Sequence, residues 1–154
     1  MPLNPAFIGR SYPPSRPYQV GRDKIREFAS AVGDDNPAYH DVEVAWSLGH
    51  PDLIAPPTFP VIMTMKAMAV AMFDPDLGLD YSRVVHGEQK FVYSRPVYAG
   101  DSLVVTASID NIRSVAGNDL ITTRADVLTE GGEHVVTSYS VIVSRDTATP
   151  GQEG

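Results

Sequence analysis

A chain of 154 residues, 43% of them hydrophobic, can bury the core of one domain but is too short for two. Its 12 basic and 19 acidic residues give a formal net charge of -7 with no basic run, which argues against nucleic acid as a partner. The absence of cysteine excludes disulfides, thiolate metal sites and a cysteine nucleophile.

Neither the N-terminal region nor the longest apolar stretch has the features of a targeting or membrane segment. Residues 1–18 contain prolines and no apolar run, unlike a signal peptide. The stretch Val61–Phe73 is interrupted by Lys66 and is too short to cross a bilayer. We therefore expect a cytoplasmic protein without a membrane partner.

The first half of the chain is predicted to be mainly helical after an irregular, proline-rich start. Residues 1–20 include a possible short strand at Arg10–Tyr12. A set of apolar residues then recurs at helical spacing and predicts an amphipathic helix: Ile25, Phe28, Ala29 and Val32. Asp41 is the predicted N-cap of a second, short helix.

A third helix, roughly Phe59–Phe73, is apolar nearly all round and is therefore predicted to be buried. Thr58 is its predicted N-cap, and Pro60 lies in its first turn. Methionines adapt to flexible apolar ligands, although plain core packing is their commoner role. Four of them lie on this helix: Met63, Met65, Met68 and Met72.

The second half of the chain is predicted to form antiparallel strands, because its segments are rich in β-branched and aromatic residues and separated by glycine-containing turns. The four segments are Val84–Tyr93, Ser102–Ile112, Leu120–Leu128 and His134–Val143. One buried helix followed by such strands predicts the α+β class. We expect a single domain over residues 1–146 and a flexible tail over residues 147–154.

Two places in the sequence combine residues suited to chemistry. The loop Gly33–Asp41 contains Asp34, Asp35 and His40, and a carboxylate with an imidazole is a sound acid/base pair. The same letters are also ordinary turn and capping chemistry, which is the commoner outcome.

The second place is the start of a predicted strand. His86 and Gln89 enclose Gly87, and a glycine inside a strand indicates a bulge or a close backbone approach. His86 can be a pocket residue or a strand-edge histidine with a satisfied hydrogen bond. The four histidines have no ligand-like spacing and there is no glycine-rich phosphate loop, so neither a metal nor a cofactor is expected.

Several stretches together resemble the MaoC-like dehydratase and (R)-specific enoyl hydratase group. Gly33–Asp41 resembles the motif GDxNPxHxD, and Ile54–Phe59 resembles the I-A-H-G-M segment that opens the central helix of these enzymes. Asp80–Gln89 followed by Arg95–Asp101 resembles the HGEQ…P…AGD stretch of the MaoC-type N-terminal half-domain. The similarity runs from Phe7 to Arg145 and extends to small actinobacterial partner subunits of hydroxyacyl-ACP dehydratases.

This resemblance implies a hot-dog fold, in which an antiparallel sheet wraps around one long buried helix, and reversible addition of water to a 2-enoyl thioester. In the family an aspartate and a histidine activate the water, and a backbone N–H polarises the thioester carbonyl. Asp34 matches the aspartate, but Tyr39 occupies the histidine position. Pro57 occupies the glycine position and has no N–H to donate.

The resemblance therefore implies the acyl-binding component of a 3-hydroxyacyl-thioester dehydratase, a hydro-lyase, acting on acyl-CoA or acyl-ACP. It would work in a dimer whose homologous hot-dog partner supplies the catalytic pair. The implied substrate-binding residues are Tyr39, Pro57, Thr58, Met63, His86, Gly87 and Gln89.

Three alternatives stay open. The chain can be an autonomous homodimeric hydratase that uses Asp35 and His40, whose separation equals that of the motif's aspartate and histidine. It can also be a non-catalytic module that binds acyl-CoA or acyl-ACP. A hot-dog thioesterase is less favoured, because the central helix over residues 59–73 lacks the carboxylate that such enzymes use.

Overall fold

The computed structural model describes residues 3–147, which form three α-helices and five β-strands. The helices are α1 Arg22–Ala31, α2 Val42–Ser47 and α3 Val61–Met72. The strands are β1 Tyr18–Gln19, β2 Val84–Tyr93, β3 Ser102–Val115, β4 Asn118–Thr129 and β5 His134–Ser144. The four strands predicted from the sequence are confirmed to within three residues at each end, and β1 is an addition.

The strands form one antiparallel sheet in the order β1-β3-β4-β5-β2. A two-residue turn joins β3 to β4, with Ala116 at φ 50° and Gly117 at φ 81°. Positive φ at both central positions is the requirement of a type I′ hairpin turn, whose twist matches that of the strands it connects. Because β2 pairs only with β5, it forms one edge of the sheet.

Helix α3 lies against the inner face of β3 and β4 and contributes to both apolar clusters of the core. One cluster surrounds Phe59 and Ile25, and the other surrounds Phe7 and Leu77. The arrangement of a curled antiparallel sheet on one central helix is the predicted hot-dog architecture of the α+β class.

Burial of α3 is one-sided within the single chain. Met63 and Met68 are buried, whereas Met65 is 54% and Val70 is 62% exposed. The sheet covers one side of the helix, and Met65 and Val70 lie away from it and stay largely exposed within residues 3–147. The prediction of Thr58 as N-cap is wrong, because Pro60 occupies that position and makes no side-chain cap.

Residues 9–17, which precede β1, run along β3 as an extended segment, here called the strap. Ser11 forms a single bridge with Ser108, which is all that the structure shows of the short strand predicted at Arg10–Tyr12. Ser15 bonds twice to Val105: its N–H donates to the carbonyl oxygen at 2.8 Å, and its Oγ accepts from the N–H at 2.9 Å. The strap therefore covers an edge of the sheet that would otherwise be free.

The described part of the chain ends inside the fold. Thr147, the first residue of the predicted tail, is buried and donates from Oγ1 to Asp119 at 2.8 Å. Residues 148–154 lie outside the described residues, so the flexible tail and the domain boundary at residue 146 stay predictions.

Candidate functional site

The loop between α1 and α2 uses most of its polar groups to fix its own conformation. The Asp34 carboxylate accepts a hydrogen bond from the backbone N–H of Asn36 at 3.1 Å. Asn36 in turn accepts one from the N–H of Ala38 at 3.0 Å. These contacts are Asx turns, in which a short polar side chain replaces a backbone acceptor. Asp41 caps α2 through the N–H of Glu43, as predicted.

His40 and Asp35, the alternative catalytic pair, lie in different surroundings. The imidazole of His40 is half-buried, and its Nε2 lies 3.1 Å from the backbone carbonyl oxygen of Asp34. A carbonyl oxygen only accepts, so Nε2 carries the proton in this contact. Asp35 is exposed, and among residues 3–147 no hydrogen bond joins its carboxylate to His40.

Tyr39 and Pro57 come together as the sequence predicted, in a pocket of about 230 Å³ between the loop and the end of β2. Tyr93 lines the same pocket, and its hydroxyl donates to the carbonyl oxygen of Pro57 at 2.6 Å. Tyr39 is only 6% exposed. Tyr93 was not predicted from the sequence, because an aromatic residue at a strand end is not distinctive without its neighbours.

Both tyrosines of this pocket are held in the protonated form. Burial raises the pKa of Tyr39, and the negative charge of Asp34 raises it further. Burial also raises the pKa of Tyr93, with a smaller contribution from Tyr39. A protonated phenol donates a hydrogen bond but does not act as a base near neutral pH. The pocket therefore offers the Tyr39 hydroxyl as a donor, since the Tyr93 proton is already donated to Pro57, and neither tyrosine acts as a base.

His86 and Gln89 lie in a second pocket, between α3 and the inner face of the sheet near β2. Gln89 Nε2 donates to Ser138 Oγ at 2.7 Å, and Met68 forms part of the apolar wall. This small patch of polar side chains lies beside the strand that forms the free edge. It is separate from the Tyr39 pocket, since the two share no lining residue.

Gly87 explains how His86 and Gln89 reach the same pocket. The pairing of β2 with β5 changes register between His86 and Glu88, so Gly87 is the extra residue of a β-bulge. Strict alternation would place positions three apart on opposite faces. A Cβ on Gly87 would lie 3.1 Å from Val143 Cγ2, so glycine is the residue that fits. The bulge predicted from the sequence is confirmed.

The remaining predicted substrate-binding residues do not join either pocket. Met63 lines a third and larger cavity, on the side of α3 that faces the strap. Thr58 is exposed in the turn that precedes α3. The structure thus distributes the predicted set over three separate cavities, and Thr58 lines none of them.

Arg95 and Asp101 form a compact polar clasp behind the Tyr39 pocket. Two guanidinium nitrogens, Nη1 and Nη2, donate to the two carboxylate oxygens of Asp101 at 2.9 and 3.0 Å. Arg95 also donates to the carbonyl oxygen of Pro96 and to Glu133, and Asp101 accepts from the N–H of Tyr98. The hydrogen bonds with Asp101 raise the pKa of Arg95. The clasp fixes the segment that follows β2.

A chain of hydrogen bonds links β2, β5 and β4 through residues that the sequence analysis did not select. Ser94 Oγ lies 2.5 Å from His134 Nδ1, and His134 Nε2 lies 2.7 Å from Thr137 Oγ1. Thr137 donates to the Asp126 carboxylate at 2.7 Å. A carboxylate only accepts, so a neutral His134 must carry its proton on Nε2 and accept from Ser94. Because Ser94 and His134 are 40 positions apart, no local motif signals the contact.

Residues 3–147 have neither a cluster of metal-ligating side chains nor a helix that could span a membrane. No group of three or more His, Cys, Asp or Glu residues lies close enough together to hold a metal ion. No helix in this range is both long and apolar enough to span a membrane. The cytoplasmic location stays a prediction.

Comparison with known families identifies the group to which this architecture belongs. A family model described as the FAS1-like dehydratase domain region matches residues 6–138. The chain belongs to this dehydratase family. The match covers most of the chain, including both motif-bearing loops, as the resemblance to MaoC-like dehydratases predicted.

Relatives of this dehydratase-family chain have nearly its own length. The UPF0336 protein SCO4636 of Streptomyces coelicolor is 61% identical over 145 residues, which cover 94% of this chain and 97% of the relative. The UPF0336 protein of Saccharopolyspora erythraea is 53% identical over 148 residues, covering 96% and 95% of the two chains.

Solved structures of the family share the fold. A MaoC-like dehydratase is 34% identical with a TM-score of 0.85, and the match covers 95% of this chain but only 45% of that longer one. The truncated HadBC (3R-hydroxyacyl-ACP dehydratase) complex of Mycobacterium tuberculosis is 32% identical with a TM-score of 0.79, covering 89% and 96%. The (R)-hydratase of A. caviae, at 19% identity and a TM-score of 0.63, shows the hot-dog fold alone.

Proposed function

We propose that the chain is the acyl-binding component of a 3-hydroxyacyl-thioester dehydratase or 2-enoyl-thioester hydratase, and that a homologous hot-dog partner supplies the catalytic aspartate and histidine. The observation that carries the proposal is the state of Tyr39. It occupies the motif position of the histidine, is buried, and has a raised pKa that keeps it protonated. It can hold a substrate oxygen but cannot accept the proton that hydration requires.

Pro57 supports the same conclusion from the other side of the pocket. Proline has no N–H with which to polarise a thioester carbonyl, and the carbonyl oxygen of Pro57 is already bonded to the Tyr93 hydroxyl at 2.6 Å. The family uses a backbone N–H at this position to polarise the substrate carbonyl, whereas Pro57 offers only a carbonyl oxygen, which is a hydrogen-bond acceptor. Asp34, the one matching catalytic residue, is engaged in an Asx turn.

The surface beside the pocket favours a partner of the same fold. Strand β2 is an unpaired sheet edge, and an exposed edge readily pairs with another strand. The exposed side chain of Met65, which lines the His86 pocket beside β2, leaves that side of α3 without cover. The similar HadBC dehydratase is a complex, and the similar MaoC-like dehydratase has a chain about twice as long as this one. We propose that the second unit covers β2 and the exposed side of α3.

The same partnership gives His86 and Gln89 a role. Their pocket lies against β2 and is lined by methionines of α3, so a unit docked at this edge would enclose it. The pocket measures only about 50 Å³ within the single chain, so we propose that a short part of the acyl chain of a CoA or ACP thioester packs here against the adaptable methionine side chains.

The autonomous enzyme is disfavoured by the geometry of its catalytic pair. His40 Nε2 bonds to the main chain of Asp34, and Asp35 lies exposed to solvent. A dyad would need both side chains to turn toward a common water. A pure binding module differs from the proposal only in the absence of turnover with a partner, so activity measurements separate the two.

The decisive experiment measures hydration of crotonyl-CoA and of a longer trans-2-enoyl-CoA. The chain is assayed alone, then with a hot-dog partner that carries intact GDxNPxH and I-A-H-G-M motifs. Loss of a positioned base costs about 10²–10⁴-fold and loss of one oxyanion donor about 10²–10³-fold, and the two effects need not add. We expect activity near background for the chain alone and strong activity for the pair.

Variants of the chain alone distinguish the alternatives. Strong activity that His40→Ala or Asp35→Ala abolishes would establish the autonomous dyad and refute the proposal. Strong activity that survives both substitutions would refute both. Thioester binding without turnover even when the partner is present would identify a binding module.

A further inference from the structure

The largest of the three cavities described above lies between the strap and α3, on the side away from β2. It has a volume of about 520 Å³, in the range of small-molecule sites. It shares no lining residue with either the Tyr39 pocket or the His86 pocket. Neither the catalytic chemistry of the family nor the proposed function uses it.

Most of the wall is apolar and rigid. Three prolines of the strap fix its backbone, since the ring of proline locks φ: Pro13, Pro14 and Pro17. On both sides of them the strap is tied to β3, through Tyr12 N–H to the Ala107 carbonyl oxygen at 2.9 Å and through the pairing of Tyr18 with Leu103. The opposite wall is α3, with Met63, Ala67 and Val70. A wall held in this way keeps the cavity open without a ligand.

Two cations stand out against this apolar lining. Lys66 is the one charged residue of α3, and Arg16 is the one charged residue between Ser11 and Gln19. Both line the cavity, one from each wall. Within residues 3–147 neither forms a salt bridge, although most of the other cations in this range do.

Five of the twelve Lys and Arg residues lack a salt bridge within residues 3–147, and Arg16 and Lys66 are the two of these five that line the cavity. With a formal net charge of -7, carboxylates are plentiful on the surface. Two positive charges beside one apolar cavity complement a ligand that has an apolar body and an anionic end. The simplest explanation without a ligand is that both side chains are solvated, and this is the alternative that the experiment must exclude.

We propose that the cavity beneath the strap binds an amphipathic carboxylate, a fatty acid being the simplest example, with its chain along α3 and its carboxylate between Arg16 and Lys66. A CoA or ACP thioester is also anionic, but the pantetheine arm separates its phosphates from the acyl chain, whereas a free acid carries its charge directly at the end of the chain. Two cations that line the apolar cavity itself therefore fit a free acid better. The site is separate from the proposed dehydratase pocket and does not depend on that function.

The test is calorimetric titration of the full chain with decanoate, and with decanol as an uncharged ligand of the same length. We expect decanoate to bind and decanol to bind at least tenfold more weakly. Arg16→Gln and Lys66→Gln should each weaken decanoate binding by about 3- to 10-fold. Val70→Trp, at a position that is 62% exposed and tolerates a large side chain, should block the cavity.

Arg113→Gln is the matched control, because Arg113 also lacks a salt bridge within the described residues but lies outside the cavity. It should bind decanoate like the unaltered chain. Equal binding of decanoate and decanol, no binding of decanoate, or binding that Arg16→Gln and Lys66→Gln leave unchanged would each overturn the proposal. Hydration activity is not measured, so a failure here leaves the dehydratase assignment untouched.

Discussion

At the scale of single residues, the Arg95–Asp101 clasp combines two features of ion pairs that stabilise a fold. The contact is bidentate, and the two side chains are only 21% and 12% exposed. We predict that Asp101→Asn lowers the free energy of unfolding by about 1–3 kcal/mol, because it leaves a shielded guanidinium with one carboxylate fewer. The acceptor for the Tyr98 N–H is kept, and urea denaturation measures the loss.

An exposed pair provides the control for this prediction. Lys24 and Glu27 are in contact on the surface of α1, with Nζ 2.9 Å from Oε1. Glu27→Gln should change the free energy of unfolding by no more than about 0.5 kcal/mol, since exposed pairs contribute little. If the two substitutions have equal effects, the clasp does not stabilise the fold in the way described.

The residue scale also shows what a sequence can reveal about a site. Asp34 and Asp41 were readable as turn and capping residues, because that chemistry is local and acts over two or three positions. Gly87 was readable as a bulge for the same reason. Tyr93 and the Ser94–His134 contact were not, because what makes these residues distinctive is a partner far away in the chain.

At the scale of elements, β2 is the strand whose environment is incomplete. Val85 and Val92 are exposed on it, at 41% and 46%. We predict that the unaltered chain is a dimer and that Val85→Glu/Val92→Glu makes it a monomer, because four added carboxylates would face one another across the paired edge. Size-exclusion chromatography with light scattering measures the mass.

The control carries the same added charge elsewhere. Val32 and Leu48 are also exposed, at 54% and 61%, and lie away from the sheet edge. Val32→Glu/Leu48→Glu should remain a dimer. A monomeric unaltered chain, or dissociation by both double variants alike, would contradict pairing through β2.

The central helix marks the limit of pattern analysis at this scale. Its position was predictable to within two residues, because an apolar run bounded by Pro60 and Asp74 leaves few choices. The apolar residues of α3 predicted that the helix is buried, but they did not predict which part of the structure covers it. A residue covered by the chain's own sheet and a residue covered by a second unit are both apolar. Met63 and Met65 therefore look alike in the sequence, although of the two only Met63 is buried.

At the scale of the whole molecule, the two core clusters share α3 and should unfold together. Phe7 is 1% exposed and belongs to the cluster that contains Leu77. Trp46 lies on α2, next to Ala45 of the cluster that contains Phe59. We predict that Phe7→Ala costs about 3–5 kcal/mol through loss of buried area and the cavity left behind. The transitions followed by Trp46 fluorescence and by far-ultraviolet circular dichroism should shift by the same amount.

Coincident transitions are the mark of a single cooperative unit. A Trp46 transition that stays in place while the circular dichroism transition moves would mean that the two ends of the core unfold independently. Leu48→Ala, a truncation at an exposed site, should leave both transitions nearly unchanged.

The unequal edges of the sheet limit the stoichiometry of any assembly. On one side the strap and the two-residue strand β1 occupy hydrogen-bonding groups of β3 over residues 102–109, while on the other side β2 presents a ten-residue edge. A unit with one open edge can join one neighbour, and the joint then uses the same surface on both copies. In such a pair the edge of β2 is used in the joint, and the strap leaves residues 110–115 as the part of the outer edge of β3 that it does not bond. The strap thus disfavours the open-ended strand addition that leads to fibres.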